Sequence, residues 1–158
     1  MELTKEQRSG SLQVSDAFHV VCPECDKVNR IPQARPLQSA KCGACGAKLF
    51  QGKPIELTGE RLTRHIARTE LPVVADFWAA WCGPCRMMAP VFEQAAQELE
   101  PKARFVKIDV DAEPGLAAQF GVQGIPALFV FQKGQVAARH AGAMDLASLR
   151  RWVEQASR

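Results

Sequence analysis

The sequence predicts an α/β fold: a mixed central sheet with helices on both faces, preceded by a small cysteine-bearing module. Beyond Pro54, β-branched and aromatic runs alternate with runs enriched in Ala, Gln, Glu and Leu. Two strand-like runs meet at Lys133-Gly134 and read as an antiparallel hairpin, which makes the sheet mixed. Ahead of Pro54 stand four cysteines and a thin set of apolar residues: Phe18, Val20, Val21, Ile31, Leu37, Leu49 and Phe50. Those contacts alone are too few to fold that module.

Residues 1–17 are polar with little periodicity and are expected to be an N-terminal arm, with a short helix, a disordered segment and an expression remnant all open. Residues 18–53 are the cysteine module, and residues 54–158 are the α/β domain. That domain opens with a short strand near Ile55–Leu57 and a helix from Thr58 or Gly59 to Arg68. Val73–Trp78 is dense in β-branched and aromatic residues and predicts a buried strand. A helix follows from about Cys82 to Glu100, kinked because Pro90 removes a donor from its interior. A strand at Arg104–Val110 and a shorter helix near Gly115–Phe120 come next. Strands at Ala127–Gln132 and Gln135–Ala141 and a helix at Leu146–Ala156 complete the chain.

Length and composition exclude several classes. The chain has 158 residues, 47% hydrophobic and 23% charged, enough to bury a core and too apolar for disorder throughout. A net charge of +3 is too small to argue for nucleic acid or an anionic membrane. Residues 1–60 hold eight Lys/Arg against seven Asp/Glu, so no basic face marks the module. The start is polar, with no basic-then-apolar pattern, and the most apolar stretch, Leu71–Cys82, is interrupted by Asp76. The expectation is a soluble, cytoplasmic monomer that binds neither nucleic acid nor membrane. Thiols stay reduced in that compartment, which points the cysteines toward metal binding or catalysis.

All six cysteines fall in Cys-x-x-Cys pairs. Cys22/Cys25 and Cys42/Cys45 are sixteen residues apart, within the spacing of a four-thiolate zinc site. Zinc takes four ligands in a tetrahedron, and a tight turn lets two sulfurs two residues apart reach one ion. Gly43 and Gly46 are expected to supply the freedom for such turns, with a short hairpin joining the two knuckles. Four protein ligands leave no open position, so the zinc is expected to be structural. The competing reading is two independent redox pairs; neither pair opens a convincing helix after an apolar strand, which disfavours it.

Cys82-Gly83-Pro84-Cys85 differs, because it sits where a buried strand hands over to a helix N-terminus. Unpaired backbone N–H groups and the positive dipole end favour a thiolate there. Pro84 fits the first turn, where a missing N–H costs nothing.

From here the sequence resembles the thioredoxin family. Trp78-Ala79-Ala80-Trp81-Cys82-Gly83-Pro84-Cys85 is similar to its active-site segment. Phe105–Asp111 is similar to its central strand, Gly121–Leu128 to its cis-proline loop, and Phe129–Gln135 to its strand–turn–strand. Ala141-Gly142-Ala143 and Leu146–Glu154 resemble its last strand and helix. The likeness covers about residues 54–158. With the four-cysteine module in front, the chain resembles the bacterial thioredoxin-2 type, which carries an N-terminal zinc ribbon. Ala80 departs from the Pro or Glu of many members.

The resemblance implies a thioredoxin fold and a protein-disulfide reductase recharged by thioredoxin reductase. NADPH and FAD then belong to that partner; this chain shows no G-x-G-x-x-G fingerprint and is expected to bind no organic cofactor. Disulfide-containing proteins are the implied substrates. Cys82, nearer the helix start, is expected to be the exposed nucleophile and Cys85 the shielded resolving thiol. Asp76 is the candidate base for Cys85: strand alternation puts it with Val74 and Trp78 on one face, and burial raises a carboxyl toward neutrality. An edge position or a structural hydrogen bond is the alternative. Lys107 either neutralises or tunes Asp76, or is a solvated strand lysine. The family implies a cis Ile125–Pro126 bond facing the cysteines, and a shallow docking surface of Trp81, Gly83, Pro84, Ile125 and Gly142. Trp78 is expected to pack beneath the site. His19, His65 and His140 lack partner spacing and read as surface or core residues. Two other functions stay open: a zinc-dependent redox sensor, and a module that binds protein through its ribbon.

Overall fold

A computed structural model describes residues 17–158, so the expected arm lies outside the described residues except for Ala17. Ala17 already belongs to a strand. β1 (Ala17–Val21) and β2 (Val28–Pro32) pair antiparallel, with Phe18 opposite Ile31 and Val20 opposite Asn29. A single 3-10 turn at Leu37–Ser39 leads to a second, minimal hairpin closed by a bridge between Lys41 and Lys48.

The second sheet has five strands in the order β3-β5-β4-β6-β7: β3 (Ile55–Glu56), β4 (Val73–Trp78), β5 (Arg104–Asp109), β6 (Ala127–Gln132) and β7 (Gln135–Ala141). β3, β5 and β4 run parallel, and β6 and β7 run antiparallel to their neighbours. The sheet becomes mixed where β6 meets β4, and β6 turns into β7 through a tight turn at Lys133-Gly134, where both residues take positive φ. Every expected strand and helix of this domain is present, with bounds within about two residues of the sequence reading.

Period-two alternation in β4 divides the core. Val73, Ala75 and Phe77 face α1 (Gly59–Arg68) and α3 (Pro114–Gln119), packing with Leu62, Ile66, Leu116 and Phe129. Val74 faces the opposite layer, built from α2 (Gly83–Leu99) and α4 (Leu146–Ala156), with Met88, Phe92, Leu128, Leu149 and Val153. Fully burying one such side chain contributes about 1.5–3 kcal/mol. Asp76 lies on the Val74 side, under α2. Asp145 caps α4 by accepting the Ser148 N–H at 2.8 Å, and Pro90 lies inside α2.

The ribbon's core does not end at the ribbon. Val20, Ile31, Leu49 and Phe50 cluster with Leu71, from the segment before β4. Polar contacts reinforce this seam. The Glu70 N–H donates to the His19 carbonyl at 2.8 Å, and the Val21 N–H donates to Thr69 Oγ1 at 3.2 Å. Arg61 on α1 holds Asp26 through Nε and Nη2 at 2.8 and 3.0 Å. His65 is fully buried, and its Nε2 meets Asp26 Oδ1 at 3.1 Å. Burial lowers His65 to about 4, so the ring is neutral and donates. Burial alone would raise Asp26; Arg61 and His65 outweigh it and hold it below the usual range. His65 is therefore a core residue, as expected, with a partner that sequence spacing did not reveal.

Candidate redox and metal sites

Cys82 is the N-cap of α2 and is joined to Cys85 by a disulfide, with Cα atoms 5.2 Å apart. The Cys85 N–H points at Cys82 Sγ, 3.2 Å away. One orphan donor of the helix end is thereby spent on the sulfur expected to carry charge. Cys82 is only 4% exposed and Cys85 3%. The expected contrast between an exposed and a shielded sulfur is absent in this oxidised pair, because the pair nests against Ala79, Trp78 and Ile125. What separates the two sulfurs is position on the helix.

Around the pair, Trp81 is 67% exposed, and its indole N–H donates to Asp111 Oδ2 at 2.9 Å. Pro84 is exposed and Gly83 half-buried on the first turn of α2. Ile125 and Pro126 join through a cis bond, and the Ile125 carbonyl oxygen lies 3.6 Å from Cys82 Sγ. The Gly142 N–H donates to the Pro126 carbonyl at 2.8 Å, from a φ of 106° that favours glycine. Gly142 thus braces the proline loop from β7. Arg86 Nη1 donates to the Ala80 carbonyl at 2.9 Å, a backbone bond that does not depend on the side chain at position 80.

Asp76 is fully buried, and neither carboxylate oxygen has a hydrogen-bond partner. Burial pushes it up to about 7; Lys107 pulls it down and Glu56 pushes it up. No structural hydrogen bond therefore accounts for this acid. Lys107 stands opposite Asp76 in the β4–β5 register but forms no ion pair with it. Its ammonium lies over the Trp78 ring, 4.6 Å from the centroid, so direct neutralisation is replaced by action at a distance. Trp78 packs against the cysteine cluster as expected, and its indole N–H donates to Glu56 Oε2 at 3.4 Å. Glu56 and Asp111 were not singled out from the sequence. They belong to other strands and loops, and no local pattern marks them.

The four remaining cysteines converge. Their sulfurs all lie within 4.8 Å of one another. Cys22 and Cys45 sulfurs are 3.7 Å apart, and those of Cys25 and Cys42 are 3.6 Å apart. A tetrahedron with Zn–S near 2.3 Å has edges of roughly 3.8 Å, so the donor set fits zinc. The Glu24 and Ala44 N–H groups and the Asn29 amide point at Cys22 or Cys42 sulfurs at 3.3–3.5 Å. The Cys45 N–H, with those of Ala44 and Asn29, brings Cys42 down to about 6, whereas burial pushes Cys22 up to about 12. Thiols with such a spread do not all ionise unaided, and a dication held by the four sulfurs would supply the compensation.

The local geometry corrects two expectations. The first knuckle forms the turn of the β1–β2 hairpin itself, rather than being joined to the second by one. In each knuckle the residue after the second cysteine closes the turn: the Asp26 N–H donates to the Cys22 carbonyl, and the Gly46 N–H to the Cys42 carbonyl. Both take positive φ, 64° and 82°. Gly46 supplies backbone freedom as expected; Gly43 does not, since a Cβ there would meet only Asn29 at 3.9 Å. Buried Asn29 ties the knuckles together by accepting from the Gly43 N–H at 2.9 Å.

Comparison with known proteins agrees with both halves. Residues 53–155 match the thioredoxin family model, and residues 21–47 match the N-terminal zinc ribbon described for thioredoxin 2. Thioredoxin C-3 of Corynebacterium nephridii is 40% identical over 136 residues, covering 86% of this chain and 93% of the relative. Thioredoxin 1 of Chlorobaculum tepidum is 50% identical over 91 residues, covering 58% and 90%. Among solved structures, a mutant thioredoxin from Halobacterium salinarum superposes with a TM-score of 0.62 at 34% identity, covering 68% of this chain and 93% of that one. This chain belongs to the thioredoxin family of protein-disulfide oxidoreductases, in the form that carries a zinc ribbon ahead of the catalytic domain.

Proposed function

We propose that Cys82 and Cys85 are the redox pair of a general protein-disulfide reductase recharged by thioredoxin reductase. The observation that carries this is the Cys82 sulfur at the N-terminus of α2, beside the Ile125–Pro126 loop and in line with the Cys85 N–H. In the reduced protein the Cys82 thiolate attacks one sulfur of a substrate disulfide, and the other leaves as a thiolate. Asp76 takes the proton from Cys85, directly or through water. The Cys85 thiolate attacks Cys82 Sγ and displaces the second substrate thiol, leaving Cys82–Cys85 oxidised. Two electrons from the reductase restore the dithiol. Trp81, Gly83, Pro84, Ile125 and Gly142 form the docking face, where an extended substrate segment pairs with the Ile125 backbone. Lys107 tunes Asp76, and Pro126 shapes the loop. Cys22, Cys25, Cys42 and Cys45 hold a structural zinc that fixes the ribbon, the unit we place at residues 18–53 ahead of the catalytic domain at 54–158.

Trapping tests the assignment. Cys85→Ser is expected to accumulate a mixed disulfide with a protein substrate on Cys82, because attack proceeds and release does not. Cys82→Ser is expected to trap nothing and to lose insulin reduction with thioredoxin reductase and NADPH. Substrate found by mass spectrometry on Cys85 of the Cys82→Ser protein reverses the roles.

A further inference from the structure

Glu56, Lys107 and Asp76 stand side by side on β3, β5 and β4. Register pairs Glu56 with Lys107 and Lys107 with Asp76, so the three residues share one face of the sheet. Trp78, two residues beyond Asp76, shares that face and joins the other two. Its indole N–H donates to Glu56 Oε2 at 3.4 Å, and its ring carries the Lys107 ammonium at 4.6 Å. The row runs from the interior to water. Asp76 is fully buried without a partner, Lys107 is half-buried, and Glu56 is exposed. Glu56 and Lys107 line one open groove of about 690 Å³ with Lys53, Pro90 and Glu93.

We propose that Glu56 is a positioning residue for the redox reaction: its carboxylate draws the Lys107 ammonium toward the sheet edge and so governs how firmly Asp76 holds a proton. This rests on the reading of Asp76 as the base for Cys85. Lys107 is the charge shared by the two carboxylates. The other ionisable groups near the row are Asp109 on β5, Lys53 before β3, Glu93 on α2 and Glu113 ahead of α3; Cys85 on α2 belongs to the cluster that Trp78 packs against, and β6 sets Leu128 opposite Asp76. Removing the charge of Glu56 takes away a repulsion on Asp76 and releases Lys107 to act on it, and both effects favour the carboxylate. The electrostatics have the same sense: Lys107 lowers both acids, and Glu56 raises Asp76.

A carboxyl ¹³C NMR titration of Asp76 in the reduced full-length protein tests this, with Glu56→Gln beside the parent. Glutamine keeps an oxygen for the Trp78 indole, so an unmoved indole N–H resonance shows that packing is retained. The Asp76 midpoint is expected to fall by about 0.5–1 pH unit, as for charges two strands apart, and the difference should shrink at high salt. The pH profile of mixed-disulfide resolution should move with it, while Lys107→Gln should move the midpoint upward. A midpoint unmoved by Glu56→Gln and moved by Lys107→Gln overturns the proposal. A midpoint that falls while the resolution profile stays fixed overturns the reading of Asp76 as base, and with it the part of Glu56 in the reaction.

Discussion

A carboxyl with both oxygens buried and unpartnered is costly whenever it ionises, and Asp76 is such a group. Raised from 3.8 to about 7, it keeps its proton in the folded state where the unfolded chain has already released it. Between those values the native state binds more protons, so stability falls as pH rises from about 4 to about 7 and levels off above. Asp76→Asn removes that dependence. The variant is expected to match the parent near pH 4 and to exceed it at pH 8 by up to about 4 kcal/mol, since the unfolded and folded values lie roughly three pH units apart and each is worth about 1.4 kcal/mol. Urea denaturation of both proteins across that range measures it; equal stability at pH 8 shows that Asp76 ionises without penalty. The same variant should resolve mixed disulfides more slowly near neutrality and recover part of the rate at higher pH, where Cys85 ionises unaided. Parent rates from pH 6 to 8 would leave Asp76 without a catalytic part.

β5 links the two halves of the chain. Arg104, its first residue, is 1% exposed, with Nη2 donating to the Leu49 carbonyl at 2.7 Å and to the Val21 carbonyl at 3.2 Å. Its guanidinium lies 4.5 Å from the Phe50 ring centroid, and Nη1 faces Glu100 Oε2 at 3.6 Å. Glu100 in turn accepts from the Gly52 N–H at 3.0 Å. One buried ion pair thus grips the ribbon by two carbonyls and the connecting loop by an amide. Breaking such a pair from one side leaves an uncompensated charge. Arg104→Ala is expected to lose about 3–5 kcal/mol, with Arg104→Met less damaged because its stem still packs. Hydrogen exchange should show the earliest loss of protection in β1 and at Leu49. A loss below about 1 kcal/mol would mean that the ribbon is held by its apolar seam alone. The sequence marked Arg104 only as a strand start, because the two carbonyls it holds are 55 and 83 residues away.

Across the whole molecule, two features are placed to hold the ribbon: the four clustered sulfurs and the apolar seam. Purified reduced protein is expected to contain one zinc per chain, and Cys42→Ser to abolish its retention. Stripping the metal should leave the five-strand sheet intact, since its two cores lie apart from the cysteine cluster. Slow exchange in β4 and β6 should persist, while amides near Cys22 and Cys42 exchange freely. Collapse of the entire fold on chelation would show that the ribbon is part of one cooperative unit. Among the described residues no helix is long and apolar enough to cross a membrane.

What repeats along the chain, or sits close in it, was legible from the residues alone. Strands and helices were legible because their side-chain periods are local, and the cysteine pairs because two ligands for one ion, or two thiols for one disulfide, require fixed short spacing. Asp76 stood out as an acid in an apolar strand. The tertiary structure decided everything that depends on register between distant strands. It set Glu56 and Lys107 beside Asp76, aimed the Lys107 ammonium at Trp78, and gave Trp81 to Asp111. It also put a positive φ at Asp26 and none at Gly43, and carried the ribbon's thin core onto Leu71 and Arg104. A buried charge takes its partners from whatever the packing brings within a few ångströms, and no local pattern in the chain encodes those neighbours.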